Sequence, residues 1–350
     1  MLQVASGVSQ RPTLAGSGGG CHAPPMNAPQ FPAIHASLGK DRRGGFFANL
    51  LKAACVLGGV VSVMGLAGAW SWVFDVGSHF QAQYFGFQLV CGMAFLLLKR
   101  WRWALVAGVF LSIPVFKLAP YYVPQAAASA GPQSLRVLSF NVLSSNTRHA
   151  ETVAWVRQTD PDLAFFPEVT AAWEAALEPL RATLPYRLAH PQGDNFGLAV
   201  FSKHPILEQE FIASRMVEVV MVRIVVAVAG RRVVLFGLHP FPPMSPATAA
   251  DRDAVLRDLA ARVRRETDPV IVAGDLNATP WSHAMRPLFA AGLRDTQLGR
   301  GFSATWQRRN PIFAIPIDHL LLGGKVTATA RRTGPDLGSD HRPIVAELHF

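Results

Sequence analysis

The sequence predicts an α+β fold, in which mixed β-sheets are covered by helices, preceded by three transmembrane helices. Long apolar segments and all 3 cysteines lie before residue 130. After it, apolar runs of strand length alternate with amphipathic helical patterns, and some strands follow each other directly. Charge also changes there, because nine Lys and Arg accompany two acids up to Ala130 and 24 accompany 21 beyond it. This basic excess beside apolar segments indicates membrane topology rather than nucleic-acid binding.

The first 39 residues have the composition of a disordered tail. Residues 1–39 are rich in Gly, Pro, Ser and Ala and show no periodicity. Cys21 follows three glycines, but no apolar segment precedes it as a lipoprotein signal would require. We therefore interpret Cys21 as an incidental cysteine.

Residues 40–120 form the predicted membrane region. Its apolar segments cover about 46–74, 80–98 and 103–119, and crossing a hydrocarbon core of ~30 Å takes ~20 residues. The third segment is the shortest and contains Pro114. A buried helical hairpin of a soluble protein is the alternative, which the near-absence of charge disfavours.

The distribution of basic residues predicts the orientation of this region. They flank the first segment and fill the turn between the second and third, whereas the loop over 75–79 has none. By the positive-inside tendency, the N-terminus is cytoplasmic and everything after the third helix is extracytoplasmic. Lys117 on the far side is an exception. The basic residues concerned are Lys40, Arg42, Arg43, Lys52, Lys99, Arg100 and Arg102.

A linker over 121–133 leads to a domain over 134–350 in which strands and helices alternate. No cysteine lies in this domain, so any metal there must be held by oxygen or histidine. The predicted strands are LRVLSFNV, DLAFFPEV, GLAVFS, two long strands joined at Gly230, VIVAGDLN, IDHLLL, VTATA and PIVAELHF. The predicted helices are HAETVAWVRQ, AAWEAALEPLRATL, TAADRDAVLRDLAARVRRE and WSHAMRPLFAAG.

The stretch VIVAGDLNATPWS places polar residues directly after a strand that is apolar on both faces. Asp275 and Asn277 are two residues apart, so along a strand they point to the same side. Gly274 lets the chain turn and Pro280 stops the strand. Taken alone, GDLN fits an Asx turn or a helix N-cap as well as a functional site.

The same pattern recurs at other strand ends. Asn141, Glu168 and His239 end strands, and Asp318 and the Ser339, Asp340, His341 triplet open them. Burying such groups unpaired costs several kcal/mol. Converging oxygen ligands without thiolates suit Mg²⁺ or Mn²⁺.

In order along the chain, SFNV, PEV, GLAVFSKHPI, GLHP, GDLN, IDHLLL and SDHRPIVAEL resemble the endonuclease/exonuclease/phosphatase superfamily, the metal-dependent phosphoesterases that include DNase I. Any one motif is weak, but the ordered set is specific and covers nearly all of 134–350. The resemblance implies an α/β sandwich with the four-layer DNase I-like fold, two mixed β-sheets packed face to face with helices outside.

The resemblance also implies a role for each motif residue. Glu168 resembles the principal Mg²⁺ ligand, supported by Asn141, and Asp340 a further metal or water-network ligand. Asp275 resembles the residue that orients or deprotonates the attacking water, and Asn277 the one that holds the scissile phosphate. His341 would contact the phosphate with Asp318 fixing its tautomer, and His239 would be another phosphate contact. Pro167 and Leu238 stand where the family commonly has Gln and Thr, which affects no catalytic atom. His319, adjacent to Asp318, faces the other side of its strand and is interpreted as structural.

These residues predict a membrane-tethered, Mg²⁺-dependent phosphoesterase that hydrolyses phosphodiester or phosphomonoester bonds outside the cytoplasm. Its substrate could be nucleic acid, a phospholipid headgroup or a small phosphate ester. Nuclease activity is the family's commonest, but the small net charge of the domain is weak support for duplex binding. Anchoring favours a sphingomyelinase-like or phosphoinositide-type lipid phosphoesterase as the alternative. A catalytically silent binding domain is disfavoured because Glu168, Asp275 and His341 are all present. The bilayer is the other expected partner, and no protein partner is predicted.

Overall fold

The computed structural model of the chain describes residues 12–13, 38–125, 131, 133–307 and 310–350. Most of the tail predicted over 1–39, including Cys21, lies outside the described residues. Residues 49–350 form one compact unit.

Four helices lie in the predicted membrane region, and two of them are long and apolar enough to cross a membrane. Gly45–Ala67 and Trp101–Tyr122 pass this test with 23 and 22 residues. Pro114 lies inside the second of these helices without ending it. The four helices are α1 (Leu38–Met64), α2 (Trp72–Ser78), α3 (Gln81–Leu97) and α4 (Trp101–Tyr122).

The prediction of three separate transmembrane helices is wrong for the middle segment, 80–98. α3 has 17 residues and reaches spanning length only together with α2, from which it is bent by 64°. The first predicted segment, 46–74, also breaks, because a 3₁₀ turn over Gly65–Ala67 follows α1 and the Ser71 hydroxyl caps α2 by accepting from Val73 N. Among the described residues, a third crossing therefore exists only if the bent pair forms one span.

Two mixed six-stranded sheets build the later domain. The first sheet has the order β11-β12-β1-β2-β4-β3 and the second β5-β6-β7-β8-β10-β9. In each, one pair is parallel (β1 with β2, β7 with β8) and the others are antiparallel. The strands are β1 (Ser134–Ser139), β2 (Leu163–Pro167), β3 (Tyr186–His190), β4 (Leu198–Ser202), β5 (Ile206–Ile212), β6 (Met221–Val228), β7 (Arg231–Leu238), β8 (Val270–Asp275), β9 (Arg294–Asp295), β10 (Asp318–Gly323), β11 (Thr327–Thr333) and β12 (Ile344–His349).

The sheets pack face to face, and helices cover their outer faces. In β8, Ile271 and Ala273 enter the core between the sheets, whereas Val270 and Val272 pack toward α7. This alternation follows from the two-residue period of a strand and explains why strands buried on both faces read as continuous apolar runs. The remaining helices are α5 (His149–Thr159) and α6 (Ala171–Leu177) beside the first sheet, and α7 (Pro246–Val263) and α8 (Arg286–Ala290) beside the second. The predicted arrangement of two packed mixed sheets with helices outside is confirmed.

Candidate active site

The ends of six strands meet at one edge of the sandwich. The parallel pairs β1 with β2 and β7 with β8 bring their carboxyl ends together. β12 and β10 run antiparallel to β1 and β8, so their amino ends reach the same edge, and Asp318 lies opposite Asp275. All eight predicted site residues lie there, namely Asn141, Glu168, His239, Asp275, Asn277, Asp318, Asp340 and His341.

Asn141 joins the two sheets at this edge. Its side-chain Nδ2 donates to Glu168 Oε1 at 2.9 Å and to Asp275 Oδ2 at 3.2 Å. Its Oδ1 accepts a hydrogen bond from Leu143 N at 3.1 Å, which fixes the orientation of the side-chain amide. The side chain is fully buried. One amide thus holds two carboxylates, one from each sheet, at a defined separation.

Glu168 is held in an uncommon backbone conformation. Its φ is 63°, in the left-handed region that residues with a side chain rarely adopt. Its carboxylate accepts from Asn141 through Oε1 and from Ser144 N through Oε2 at 3.1 Å. Such strain persists where the surrounding contacts over-determine it, which is typical of a functional position.

The Oδ2 atom of Asp275 is surrounded by nitrogen atoms. His239 Nε2 lies 3.4 Å away and His341 Nε2 3.6 Å away, in addition to the Asn141 amide. Burial by itself raises the pKa of Asp275, but the charge of His341 and the hydrogen bond from His239 outweigh it and lower the pKa. Asp275 is therefore ionised although it is buried.

His341 is the partner of Asp318. Nδ1 of His341 lies 2.9 Å from Asp318 Oδ2, and because a carboxylate only accepts, Nδ1 carries the proton and Nε2 faces Asp275. Burial lowers the pKa of His341, but Asp318 and Asp275 outweigh it and raise the pKa to about 10. The side chain is thus a buried imidazolium at neutral pH, able to donate from both nitrogens.

His239 is oriented by the loop before β4. Its Nδ1 lies 2.9 Å from the carbonyl oxygen of Asn195, so Nδ1 donates and Nε2 is directed at Asp275. Burial lowers the pKa of His239, and the neighbouring Asp275 raises it by more, so that the pKa lies above its usual value. His239 and His341 therefore present two N–H groups to the same carboxylate oxygen.

Asn277 begins the loop that follows β8. Its backbone N donates to Asp275 Oδ1 at 2.9 Å, and its Nδ2 donates to the carbonyl oxygen of Pro240 at 3.0 Å. Its φ of 48° is in the left-handed region, which Asn tolerates better than most residues. In β8 just before this loop, Gly274 has a φ of 145°, and a Cβ there would overlap the carbonyl oxygen of Leu238 in β7.

Asp340 lies at the rim of the site. Its Oδ2 accepts from Trp306 Nε1 at 3.0 Å, and its Oδ1 lies 3.9 Å from His341 Nε2, beyond hydrogen-bond distance. Oδ1 is buried and has no hydrogen-bond partner among the described residues. A buried carboxylate oxygen without a donor is suited to a bound cation or water.

The side chains at this edge could hold a divalent metal. Asp275, Asp318 and His341 have ligand atoms that all lie within 4.8 Å of one another. This set differs from the predicted ligands Glu168, Asn141 and Asp340. Because Nδ1 of His341 already donates to Asp318, hydrogen bonding accounts for that pair without a metal. The acidic oxygen atoms of the edge as a whole form the kind of donor set that hard cations prefer.

The sequence did not identify Asn195, Ser144 and Trp306 as parts of the site. The Ser144 hydroxyl donates to Asn195 Oδ1 at 2.6 Å, and the Asn195 carbonyl orients His239. Asn195 lies in the turn-rich stretch PQGDNFG, whose composition predicts a loop but no position for it. Trp306 forms an isolated bridge with His341 across a long separation in sequence.

The family model described as Endonuclease/Exonuclease/phosphatase family matches residues 138–341. This range contains every residue of the site. The chain belongs to the Endonuclease/Exonuclease/phosphatase family. It is accordingly a hydrolase that acts on phosphate ester bonds. No curated protein sequence matches the chain.

Solved structures similar to this family member share its fold. A humanized TDP2 from D. rerio has 20% identity and a TM-score of 0.54, over 62% of this chain and 99% of that one. An endonuclease/exonuclease/phosphatase from Beutenbergia cavernae has 20% identity and a TM-score of 0.53, over 62% and 72%. The 3′ phosphatase NExo from Neisseria, bound to a product DNA hairpin, has 17% identity and a TM-score of 0.51, over 62% and 100%. These likenesses support the DNase I-like fold.

Proposed function

We propose that the chain is a membrane-tethered, Mg²⁺-dependent phosphoesterase with its active site outside the cytoplasm. The observation that carries the proposal is the position of Asp275, an ionised and buried carboxylate whose Oδ2 has three nitrogen atoms within 3.6 Å. A carboxylate held in this way can orient a water molecule and accept its proton.

Residues Glu168, Asn141 and Asp340 would hold the cation. The unpartnered Asp340 Oδ1 and the all-oxygen acidic set support a hard cation, and Mn²⁺ would suit the same ligands. When bound, Mg²⁺ would offset the negative charge that develops on the phosphoryl group.

The remaining site residues would carry out the hydrolysis of the phosphate ester. Asp275 accepts a proton as the water oxygen forms its bond to phosphorus, and the bond from phosphorus to the leaving oxygen breaks. His341, protonated and held by Asp318, donates a hydrogen bond to a phosphoryl oxygen as its charge grows. Asn277 and His239 contribute further contacts to the phosphate. The leaving oxygen takes up a proton from solvent and Asp275 returns its proton to solvent, so the products are the phosphate or phosphate monoester and the released alcohol.

Nucleic acid is the first substrate class to test, because the similar NExo structure was solved with product DNA. A phospholipid is the second, favoured by one observation. Trp281, four residues after Asn277, packs edge-on against Tyr121 of α4 with ring centroids 6.0 Å apart. This contact keeps the segment after β8 beside the end of an apolar helix that is long enough to cross a membrane.

The experiment is a substrate panel assayed with the full chain in detergent or lipid nanodiscs. Plasmid DNA, a 3′-phosphorylated oligonucleotide, sphingomyelin, phosphatidylinositol phosphates and bis(4-nitrophenyl) phosphate are each incubated with Mg²⁺, and again after EDTA. Cleavage that requires Mg²⁺ and is restored by adding it back supports the proposal. If EDTA leaves cleavage unchanged, or if no substrate is cleaved, the proposal fails.

A further inference from the structure

A buried ion pair connects the N-terminal helices to the active-site loop. Asp75 of α2 and Arg252 of α7 are both buried, and Arg252 Nη2 lies 2.8 Å from Asp75 Oδ2. The same guanidinium uses Nη1 to donate to the carbonyl oxygen of Asn277 at 3.2 Å. Arg252 therefore bridges a carboxylate of the N-terminal helices and the backbone of a predicted phosphate-binding residue.

The peptide groups around Asn277 are consequently held from two sides. On one side, its N–H donates to Asp275 Oδ1. On the other, its carbonyl accepts from Arg252. Because Asn277 has a φ of 48°, this conformation depends on contacts that stabilise it. Arg252 supplies such a contact, and Asp75 neutralises and orients Arg252.

Asp75 also binds the far end of the same loop. The Ser282 hydroxyl lies 2.7 Å from Asp75 Oδ2 and 2.9 Å from Oδ1, and His283 N donates to Oδ1 at 2.6 Å. Ser282 in turn caps the 3₁₀ turn that follows it, by accepting from Ala284 N. Residues 277–283, here called the Asn277 loop, are thus attached to Asp75 directly at one end and through Arg252 at the other.

These contacts fix the conformation of the Asn277 loop as well as attaching it to the N-terminal helices. Burying a charge is costly unless it is paired and hydrogen-bonded, so a buried ion pair by itself is weak evidence for stability. What such a pair provides here is a defined geometry. The carboxylate of Asp75 accepts from a guanidinium, a hydroxyl and an amide, and each of these donors belongs either to the Asn277 loop or to Arg252, which contacts it. Trp281 in the middle of the loop packs on Tyr121 of α4, which is a second contact from the N-terminal helices.

We propose that Asp75 is a positioning residue of the active site, which acts through Arg252 and Ser282 to set the conformation of the Asn277 loop. The inference rests on the proposed function, in which Asn277 holds the scissile phosphate. In this proposal, the N-terminal helices contribute to the conformation of the active site in addition to anchoring the enzyme. A displacement of about 1 Å in a positioning group can cost on the order of 10²-fold in rate.

The test compares Asp75→Asn with the unaltered full chain, with Mg²⁺ and bis(4-nitrophenyl) phosphate as the probe. Asn has the same shape but no charge, so Arg252 loses its buried counter-ion and keeps only the ion pair with the partly exposed Asp253. We expect kcat per folded molecule to fall by roughly 10- to 100-fold, with KM changed by less than about threefold. Arg252→Gln should give a similar loss, and the double variant should lose little more than either single one, because both act on the same loop.

The matched control is Arg262→Gln, which removes an ion pair from the same helix. Arg262 contacts Asp258 and Glu210 on a partly exposed face and does not reach the site, so its kcat should equal that of the unaltered chain. If Asp75→Asn lowers only the melting temperature and leaves kcat per folded molecule unchanged, Asp75 is purely structural and the inference is overturned.

A second measurement does not depend on activity. Hydrogen–deuterium exchange of the full chain should show faster exchange of the Asn277 loop amides in Asp75→Asn than in Arg262→Gln, with the central strands unchanged. If the unaltered chain cleaves nothing, the proposed function fails, and the exchange result alone decides whether Asp75 orders the loop. Equal exchange in the two variants would overturn the inference while leaving the proposed function untouched.

Discussion

The side-chain amide of Asn141, which follows β1 of the first sheet, donates to Asp275 Oδ2 at the end of β8 in the second sheet, at a distance of 3.2 Å. Because Asn141 also binds Glu168, it separates two buried carboxylates that would otherwise repel each other. The site is therefore built at the contact between the sheets, and its geometry depends on how they pack.

Replacing Asn141 should impair catalysis more than stability. Asn141→Ala removes the donor shared by Glu168 and Asp275, and we expect kcat/KM to fall by roughly 10²-fold, since one preorganised donor is worth about that much in other sites. Steady-state kinetics with the cleaved substrate measures the change. Asn310→Ala, at an exposed position between β9 and β10, is the control and should retain full activity. Equal activity of Asn141→Ala and the unaltered chain would show that the bridge is dispensable.

Asp318→Asn should leave His341 in place but lower its pKa. The Asp318 carboxylate raises the pKa of His341, and an uncharged amide removes this contribution, so the imidazolium gives up a proton more easily. We expect kcat to fall by about 10²- to 10⁴-fold, the usual contribution of a positioned acid–base group. The assay compares it with Asp268→Asn, which removes a partly exposed ion pair with Arg232. A kcat equal to that of the control would contradict the role of Asp318.

Gly274→Ala should destabilise the domain. The added Cβ would meet the carbonyl oxygen of Leu238, and a φ of 145° is strained for any residue with a side chain. We expect the free energy of unfolding to fall by about 1–3 kcal/mol or more, measured by denaturant titration. Gly193→Ala is the control, because its Cβ would have nothing within 4 Å. An unchanged midpoint for Gly274→Ala would show that β7 and β8 can separate at this point.

The C-terminus should lie on the extracytoplasmic side of the membrane. Asp75 and Tyr121, at two separate turns of the N-terminal helices, both contact the later domain. The basic residues Lys99 and Arg100 lie between α3 and α4 and Arg102 in the first turn of α4, and this end of the helices is predicted to be cytoplasmic. An alkaline phosphatase fusion at the C-terminus should therefore be active and a green fluorescent protein fusion dark. The reverse pattern would overturn the predicted orientation.

Much of the site could be predicted because polar residues at the ends of buried, apolar strands are easily recognised in the sequence. A buried strand is apolar on both faces, so Asp275 at the end of one and Glu168 directly after another are conspicuous. Three of the four edge strands, β3, β5 and β9, were not predicted, whereas β11 was predicted as VTATA. β3 is only partly buried and β5 is largely exposed, and sequences such as ILEQEFI lack the apolar run of a buried strand. β9, with only two residues, has no pattern to detect.

The contacts between distant segments could not be predicted from the sequence either. The predicted first apolar segment ends at 74, one residue before Asp75, and nothing in the spacing of the chain links Asp75 to Arg252, 177 positions later. The three-helix prediction erred for a related reason. Hydropathy identifies α2 and α3 as apolar. It contains no information about the bend between them or about the packing of α2 on the domain that follows.

Asp275 is the residue on which the account depends most, and Asp275→Asn tests it most directly. Asn keeps the shape and the hydrogen bond from Asn277 but can accept no proton. With the full chain, Mg²⁺ and a cleaved phosphate ester, we expect kcat per folded molecule to fall by roughly 10³-fold or more relative to the control Asp258→Asn. A folded Asp275→Asn protein that cleaves the substrate as fast as this control would contradict the proposed mechanism.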